Sequence, residues 1–351
     1  MNNRRQVLQF LSLILLSVLL LSCETVGYYG QAARGQLAII FSRQDIQGLL
    51  EADEIDSELR TKLLEVLAIR EFAEQQLKLP VGEHFSTFVD VEREHVVWNV
   101  FAAPEFSIDP VSWCYPIAGC VTYRGYFNES KAERYAQSLA DDGYDVYTGG
   151  VDAYSTLGWF EDSLLSTVIE RQSYQLAGLI FHELAHQVVY VPGETAFNES
   201  FATAVEREGI RRWLQASGAA EVIAMLGENS GRQQEFVELV SRYQDRFSAL
   251  YDEDIPEQQM RDRKTELQAA LRNDYQELKA TWQGYAGYDA WFARSLNNAQ
   301  LSTVSAYNDY VPFFQDLLSE SGNNIEIFYQ RVADIAELSD EEREALLNES
   351  N

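Results

Sequence analysis

The stretch Phe181-His182-Glu183-Leu184-Ala185-His186-Gln187 decides how the rest of the chain is read. Leu176, Ile180, Leu184 and Val188 recur every four residues, so the run predicts an amphipathic helix with one buried face. His182 and His186 lie off that stripe, about one helical turn apart. Two imidazoles so placed can reach a single Zn²⁺, and Glu183 between them can act as general base on an attacking water. Residue types and spacing together point to metal-assisted hydrolysis, above all of a peptide bond. The competing reading is an ordinary amphipathic helix with two histidines on its polar face. The chain holds only four histidines, which makes an accidental match rare.

A catalytic zinc site needs a third protein ligand and leaves the fourth position to water. The remaining histidines, His84 and His95, lie far upstream, so a downstream carboxylate fits better. Pro192-Gly193 is a turn signal expected to end the first helix, and a second helical pattern begins near Thr195, expected as its N-cap. Glu199 comes early in that pattern, and Glu206 lies two turns later on the same face. A short turn brings the start of the second helix back beside the first. This favours Glu199 as ligand over a role that only complements the helix dipole. Glu206 and Asn198 are expected behind the ligands, with Glu206 partnering a histidine.

The N-terminus reads as an export signal, with Arg4 and Arg5 followed by an apolar stretch over residues 7–21. That stretch is shorter than the ~20 apolar residues of a spanning helix. Leu20-Leu21-Ser22-Cys23 resembles the lipobox of bacterial lipoproteins, which implies cleavage and lipid on Cys23. Glu24 after the cysteine leans toward the outer membrane, so the expected address is the bacterial cell envelope, facing the periplasm. An oxidising periplasm permits a disulfide between Cys114 and Cys120. The alternative, that both ligate metal, is disfavoured by their six-residue spacing and the lack of a nearby histidine. Loss of Arg4 and Arg5 moves the formal charge from −28 to −30. Such acidity excludes nucleic acid as a partner and leaves a peptide substrate and, through the lipid anchor, a membrane.

Residues 28–80 read as helical, with Leu59, Leu63, Leu64, Val66, Leu67 and Ile69 on one face. Val96-Val97-Trp98-Asn99-Val100-Phe101 is rich in β-branched and aromatic residues and predicts a strand. Residues 120–127 alternate and predict another. A helix is expected over 130–141, then two strands over 144–147 and 151–157 separated by Gly149-Gly150. From Ala220 the pattern is helical again, with a long polar hairpin over 233–283 and Pro256 at a helix start or interruption. The predicted class is α+β, a small sheet plus the His-Glu helix as a zincin-like core, flanked by N-terminal and long C-terminal helices. The expected division is 1–22 signal, 23–84 helical segment, 85–217 catalytic core and 218–351 helical region. Ala153-Tyr154-Ser155-Thr156-Leu157-Gly158-Trp159-Phe160 is the candidate edge strand, with Tyr154 and Ser155 as substrate-binding residues by strand addition.

Five motifs together resemble the bacterial "predicted aminopeptidase" family. They are Trp113-Cys114-Tyr115-Pro116-Ile117-Ala118-Gly119-Cys120, Tyr123-Arg124-Gly125-Tyr126-Phe127, the segment 153–160 just quoted, His182-Glu183-Leu184-Ala185-His186-Gln187 and Phe197-Asn198-Glu199-Ser200-Phe201-Ala202. The resemblance extends to Asn297-Asn298-Ala299 and to Tyr307 with Val311-Pro312. It implies a gluzincin-like site, with His182, His186 and Glu199 on zinc and Glu183 as catalytic acid/base, and an aminopeptidase activity. A donor to the developing oxyanion is also required, for which Tyr307 and Tyr310 are candidates, with Tyr154 behind them. A different class remains open: a lipid-anchored binding or scaffold lipoprotein whose metal site is structural or inactive. The intact Glu183 argues against it, because a structural site needs no base.

Overall fold

The structure, a computed structural model, describes residues 27–115, 119–153, 161–304 and 310–348. The fold is α+β, with helices dominant and three small sheets. Helix α1 (27–41) lies on the sheet through Gln31, which donates to Gly125 O (3.2 Å) and accepts from Phe127 N–H (3.1 Å). Strand β1 (Gln44–Asp45) leads into α2 (Ile46–Glu51), capped by the Asp45 carboxylate on Gly48 N–H. Helix α3 (Ser57–Leu77) starts at Asp56, whose side chain accepts from Glu58 and Leu59 N–H. It buries Leu63, Val66, Ile69, Ala73 and Leu77 on one face, whereas Leu64, read onto that face, is 53% exposed because it lies about 100° round the helix from Leu63.

The central sheet is antiparallel, in the order β6 (Arg124–Tyr126), β3 (Val97–Pro104), β7 (Tyr144–Val151). Helix α4 (Glu129–Asp141) packs on it around Trp98, Val100, Tyr126 and Ala132. The two strands expected over 144–157 are one strand as far as Val151. Gly149 and Gly150 pair with Asn99 and Trp98 and continue the ladder rather than break it. The single strand expected over 120–127 is two. Strand β5 (Gly119–Val121) pairs with β4 (Trp113–Tyr115) in a hairpin closed by the Cys114–Cys120 disulfide, whereas β6 pairs with β3. The chain changes partner at Thr122-Tyr123, which breaks the run. A mixed sheet of β1, β2 (Thr87–Val89) and β8 (Leu164–Leu165) carries the chain through α5 (Ser166–Ile169) to the helix of interest.

That helix, α6 (Ser173–Ala185), packs against α7 (Thr195–Ser217) in the largest core. This core draws on residues 46–88, on α5, α6 and α7, and on α12 (Val311–Glu320), α13 (Ile325–Ala336) and α14 (Asp340–Asn348). Phe314 meets Phe197 at 5.2 Å between ring centroids, and Phe328 meets Phe201 at 5.8 Å. Each of these fully buried rings contributes on the order of 1.5–3 kcal/mol by leaving water. A second core lies between α8 (Ala220–Tyr251) and α9 (Glu257–Thr281), with α10 (Asp289–Phe292) and α11 (Asn298–Leu301) against it. Pro256 is the residue before α9, one of the two positions read from the sequence. Among the described residues no helix is long and apolar enough to cross a membrane.

Candidate metal centre

Helices α6 and α7 approach closely because two glycines face the contact. A Cβ on Gly209 would stand 2.5 Å from the fully buried Phe181 ring, and one on Gly178 would stand 2.7 Å from Ile210 Cδ1 and 3.2 Å from Glu206 Oε1. Close approach brings one turn of α6 level with the first turns of α7. Helix α6 ends at Ala185, with His186 as its C-cap, well before the Pro192-Gly193 turn expected to end it. Helix α7 has Glu194 as N-cap, and Thr195, expected in that place, is its first residue. The loop between them is fastened by Asn198. Its Oδ1 accepts from Val191 N–H (2.8 Å), and its Nδ2 donates to Val191 O (2.7 Å). Asn198 therefore acts one step further from the ligands than expected, because both ends of its amide hold the loop.

His182, His186 and Glu199 each offer a donor atom, and these atoms all lie within 4.8 Å of one another. His182 Nε2 lies 3.3 Å from Glu199 Oε2, and His186 Nε2 lies 3.7 Å from Glu199 Oε1. On the far side of the ring, His182 Nδ1 lies 3.1 Å from Glu206 Oε2. His182 thus stands between two carboxylates seven residues apart on α7, one toward the donor group and one behind it. His84 and His95 are elsewhere. His84 Nδ1 accepts from Asp162 N–H (3.2 Å), and His95 Nδ1 meets Asp152 Oδ1 at 2.5 Å.

The electrostatics favour a cation. Burial opposes a charge on His182, but hydrogen bonds to Glu199 and Glu206, with Glu183 nearby, raise its pKa to about 10. Burial and then the charge on His182 lower His186 to about 4, so its ring stays neutral, the form a metal binds. Burial also opposes ionisation of Glu199. The His182 hydrogen bond and the two imidazoles outweigh it and hold the carboxyl below its ordinary range. His186 Nδ1 is buried without a hydrogen-bond partner. Two imidazoles and one carboxylate, with a further carboxylate behind one ring, are a donor set that suits zinc.

Glu183 lines a cavity of about 20 Å³ together with Phe85, Ala153, Asp162, Ser163 and Leu179, room for about one water. Two tyrosines to which the sequence reading gave no role stand at this centre. The Tyr190 ring lies 6.4 Å from the His186 ring, nearly perpendicular to it. Burial, and next the charge of Glu199, raise the pKa of both Tyr190 and Tyr123, so both phenols stay protonated near neutral pH. Nothing local marks Tyr190 among 19 tyrosines, and Tyr123 stands in a quoted motif without a role. Only the partner change between β5 and β6 places Tyr123 here. Tyr310 joins α7 through its N–H, which donates to Ser200 Oγ (3.2 Å). Tyr154, Ser155 and Tyr307 lie outside the described residues, as do Cys23 and most of the candidate edge strand.

A family model described as "Putative aminopeptidase" matches residues 27–347. Comparison with curated proteins and with solved structures returned no match.

Proposed function

The chain belongs to the "Putative aminopeptidase" family, and we propose that it is a zinc-dependent aminopeptidase with a zincin-like core. The observation that carries this reading is the convergence of His182, His186 and Glu199 within 4.8 Å, on two helices whose glycines permit it. His182, His186 and Glu199 would hold the ion. Zinc bound by such a set supplies Lewis acidity, lowering the pKa of water toward ~7 and polarising a carbonyl.

The protein's own groups do the rest. Glu206 holds the His182 ring by its Nδ1 and so fixes which nitrogen faces Glu199. Asn198 anchors the α6–α7 loop and with it the start of α7, where Glu199 is the next residue. Glu183 takes a proton from water as the water oxygen attacks the scissile carbonyl carbon. It returns that proton to the amide nitrogen as the C–N bond breaks, leaving a free carboxyl and a free amine. The adjoining cavity, bounded by Phe85, Leu179, Asp162 and Ser163, leaves room for about one water beside the carboxylate. The reading includes an envelope location with lipid on Cys23, supported by the lipobox resemblance. The Cys114–Cys120 disulfide suits an oxidising compartment.

The test uses the purified full chain. Stoichiometric zinc, hydrolysis of a mixed peptide pool that a chelator stops, and loss of hydrolysis with retained zinc in Glu183→Gln are expected. Free peptides should be cut and N-acetylated peptides spared. Bound zinc with no cleavage of any peptide would overturn the peptidase reading. Equal rates on free and acetylated peptides would leave an endopeptidase.

A further inference from the structure

A tetrahedral intermediate of amide hydrolysis puts a negative charge on the former carbonyl oxygen, and a fixed donor aimed at that oxygen is worth a large share of the rate. We infer that Tyr190 is this donor, its phenol O–H giving a hydrogen bond to the substrate carbonyl oxygen as it becomes an oxyanion, with Tyr123 as a positioning residue. The inference rests on the peptidase reading above and names a residue that reading does not.

Three observations carry it. The first is place. Tyr190 follows His186 by four residues, and its ring stands edge-on to the His186 ring at 6.4 Å. The second is access combined with fixity. Tyr190 is 40% exposed and therefore open to a ligand, although its neighbours in sequence are held. Val189 is buried, and Val191 is gripped at both its N–H and its C=O by Asn198. A donor on an anchored backbone costs little reorganisation when charge develops, which is what such a group must offer. The third is chemistry. A phenol's ordinary pKa is about 10, so Tyr190 keeps the proton it must present. No proton leaves Tyr190 in this role. Glu183 performs the transfers, and the phenol only donates its hydrogen bond.

Tyr123 differs in kind. It is more enclosed than Tyr190, and its ring lies against Phe101 at 5.8 Å. It occupies the point where the chain leaves the disulfide hairpin for the central sheet, so it braces that side of the centre.

The experiment compares the zinc-loaded wild type with Tyr190→Phe and Tyr123→Phe. It reads kcat and KM on a free peptide, zinc content, thermal midpoint, and affinity for a phosphinic peptide, whose tetrahedral anion imitates the intermediate. Tyr190→Phe should lower kcat about 10²–10³-fold with KM nearly unchanged. It should weaken the phosphinic peptide by a similar factor and leave zinc content and thermal midpoint as in the wild type. Tyr123→Phe should lower kcat by less than about 10-fold, as expected of a group that does not touch the oxyanion. Wild-type rates and phosphinic affinity in Tyr190→Phe would overturn the inference alone, and so would the large kcat loss falling on Tyr123→Phe. Loss of zinc in Tyr190→Phe would also overturn it, making the phenol part of the ion's support. A zinc-loaded wild type that neither cleaves peptides nor binds the phosphinic peptide would overturn the peptidase reading and this inference with it.

Discussion

The helix pair α6/α7 and the helix pair α8/α9 are both antiparallel neighbours in one chain, yet they are built on opposite principles. Between α6 and α7, glycines let backbones approach, and the space beside the contact is filled with imidazoles and carboxylates. Between α8 and α9 and their satellites, aromatic rings do the packing. Tyr275 stacks on Phe292 at 3.8 Å, Phe236 on Tyr288 at 4.1 Å, and Trp282 closes the end. Polar groups at the second pair serve attachment. Lys264 Nζ reaches Asp145 Oδ2 (2.5 Å) and Glu105 O (2.7 Å). Asn298 accepts from Tyr251 O–H (2.8 Å) and donates to Pro104 O and Glu105 O (3.0 Å each), fastening the hairpin to the central sheet. One pair places charge where a ligand can use it; the other places charge where it joins two parts of the fold.

The largest effect should follow from removing a donor at the first pair. Glu199→Ala should reduce zinc affinity well beyond the factor seen for Glu206→Ala, because one donor leaves the centre while the other only orients a ring. Glu206→Ala itself should cost about 10–100-fold in zinc affinity, the usual range for an outer partner. Competition with a chromophoric chelator measures both. If Glu206→Ala proves the more damaging, their roles are exchanged, and Glu199 is the supporting group.

This contrast also explains what the sequence could and could not say. The convergence of His182, His186 and Glu199 was legible because chemistry constrains both their types and their spacing, and a short turn leaves few places for a third group. The placement of Glu206 behind His182 followed from the helical period, since it shares a face with Glu199. The glycine contacts were not legible. Gly178 and Gly209 look like poor helix formers until the partner helix is in place. Gly149-Gly150 read as a break for the converse reason, because local preference lost to pairing with the whole length of β3. Asn297-Asn298-Ala299 stood out in the sequence, but its work depends on Asp145, more than a hundred residues earlier, whose carboxylate accepts from Asn298 N–H (2.9 Å). The α8/α9 hairpin was visible as a pattern, whereas its attachment was not.

The second pair should respond to loss of attachment with stability rather than metal affinity. Asp145→Ala takes the ion-pair partner from the buried Lys264 ammonium, which keeps its hydrogen bond to the Glu105 carbonyl, and frees Asn298 N–H. Breaking such a pair by removing one partner should cost roughly 3 kcal/mol in chemical denaturation. Zinc affinity should stay at the wild-type value. A parallel fall in zinc affinity would mean that the two pairs are mechanically coupled and that the contrast drawn here is too sharp.

The smallest of these effects should come from Gly209→Ala, and it discriminates most finely. The added methyl meets the Phe181 ring at 2.5 Å, and that ring has no free space to turn into, since Phe181 is fully buried and Leu77 Cδ1 lies at 3.0 Å from the same methyl. Helices α6 and α7 must therefore part by a few tenths of an ångström, at an overpacking cost of about 1–3 kcal/mol, partly offset by the better helix propensity of alanine, about 1 kcal/mol. The net loss of stability should be modest. Zinc affinity should nevertheless fall, because His182 and His186 stand on one helix and Glu199 on the other, and the donor group spans the gap being widened. Gly227→Ala is the control. A Cβ there has nothing within 4 Å, so the same substitution in α8 should raise stability slightly and leave zinc binding alone. Zinc affinity unchanged in Gly209→Ala would show that the loop held by Asn198, rather than the helix spacing, sets the distance between the histidines and Glu199.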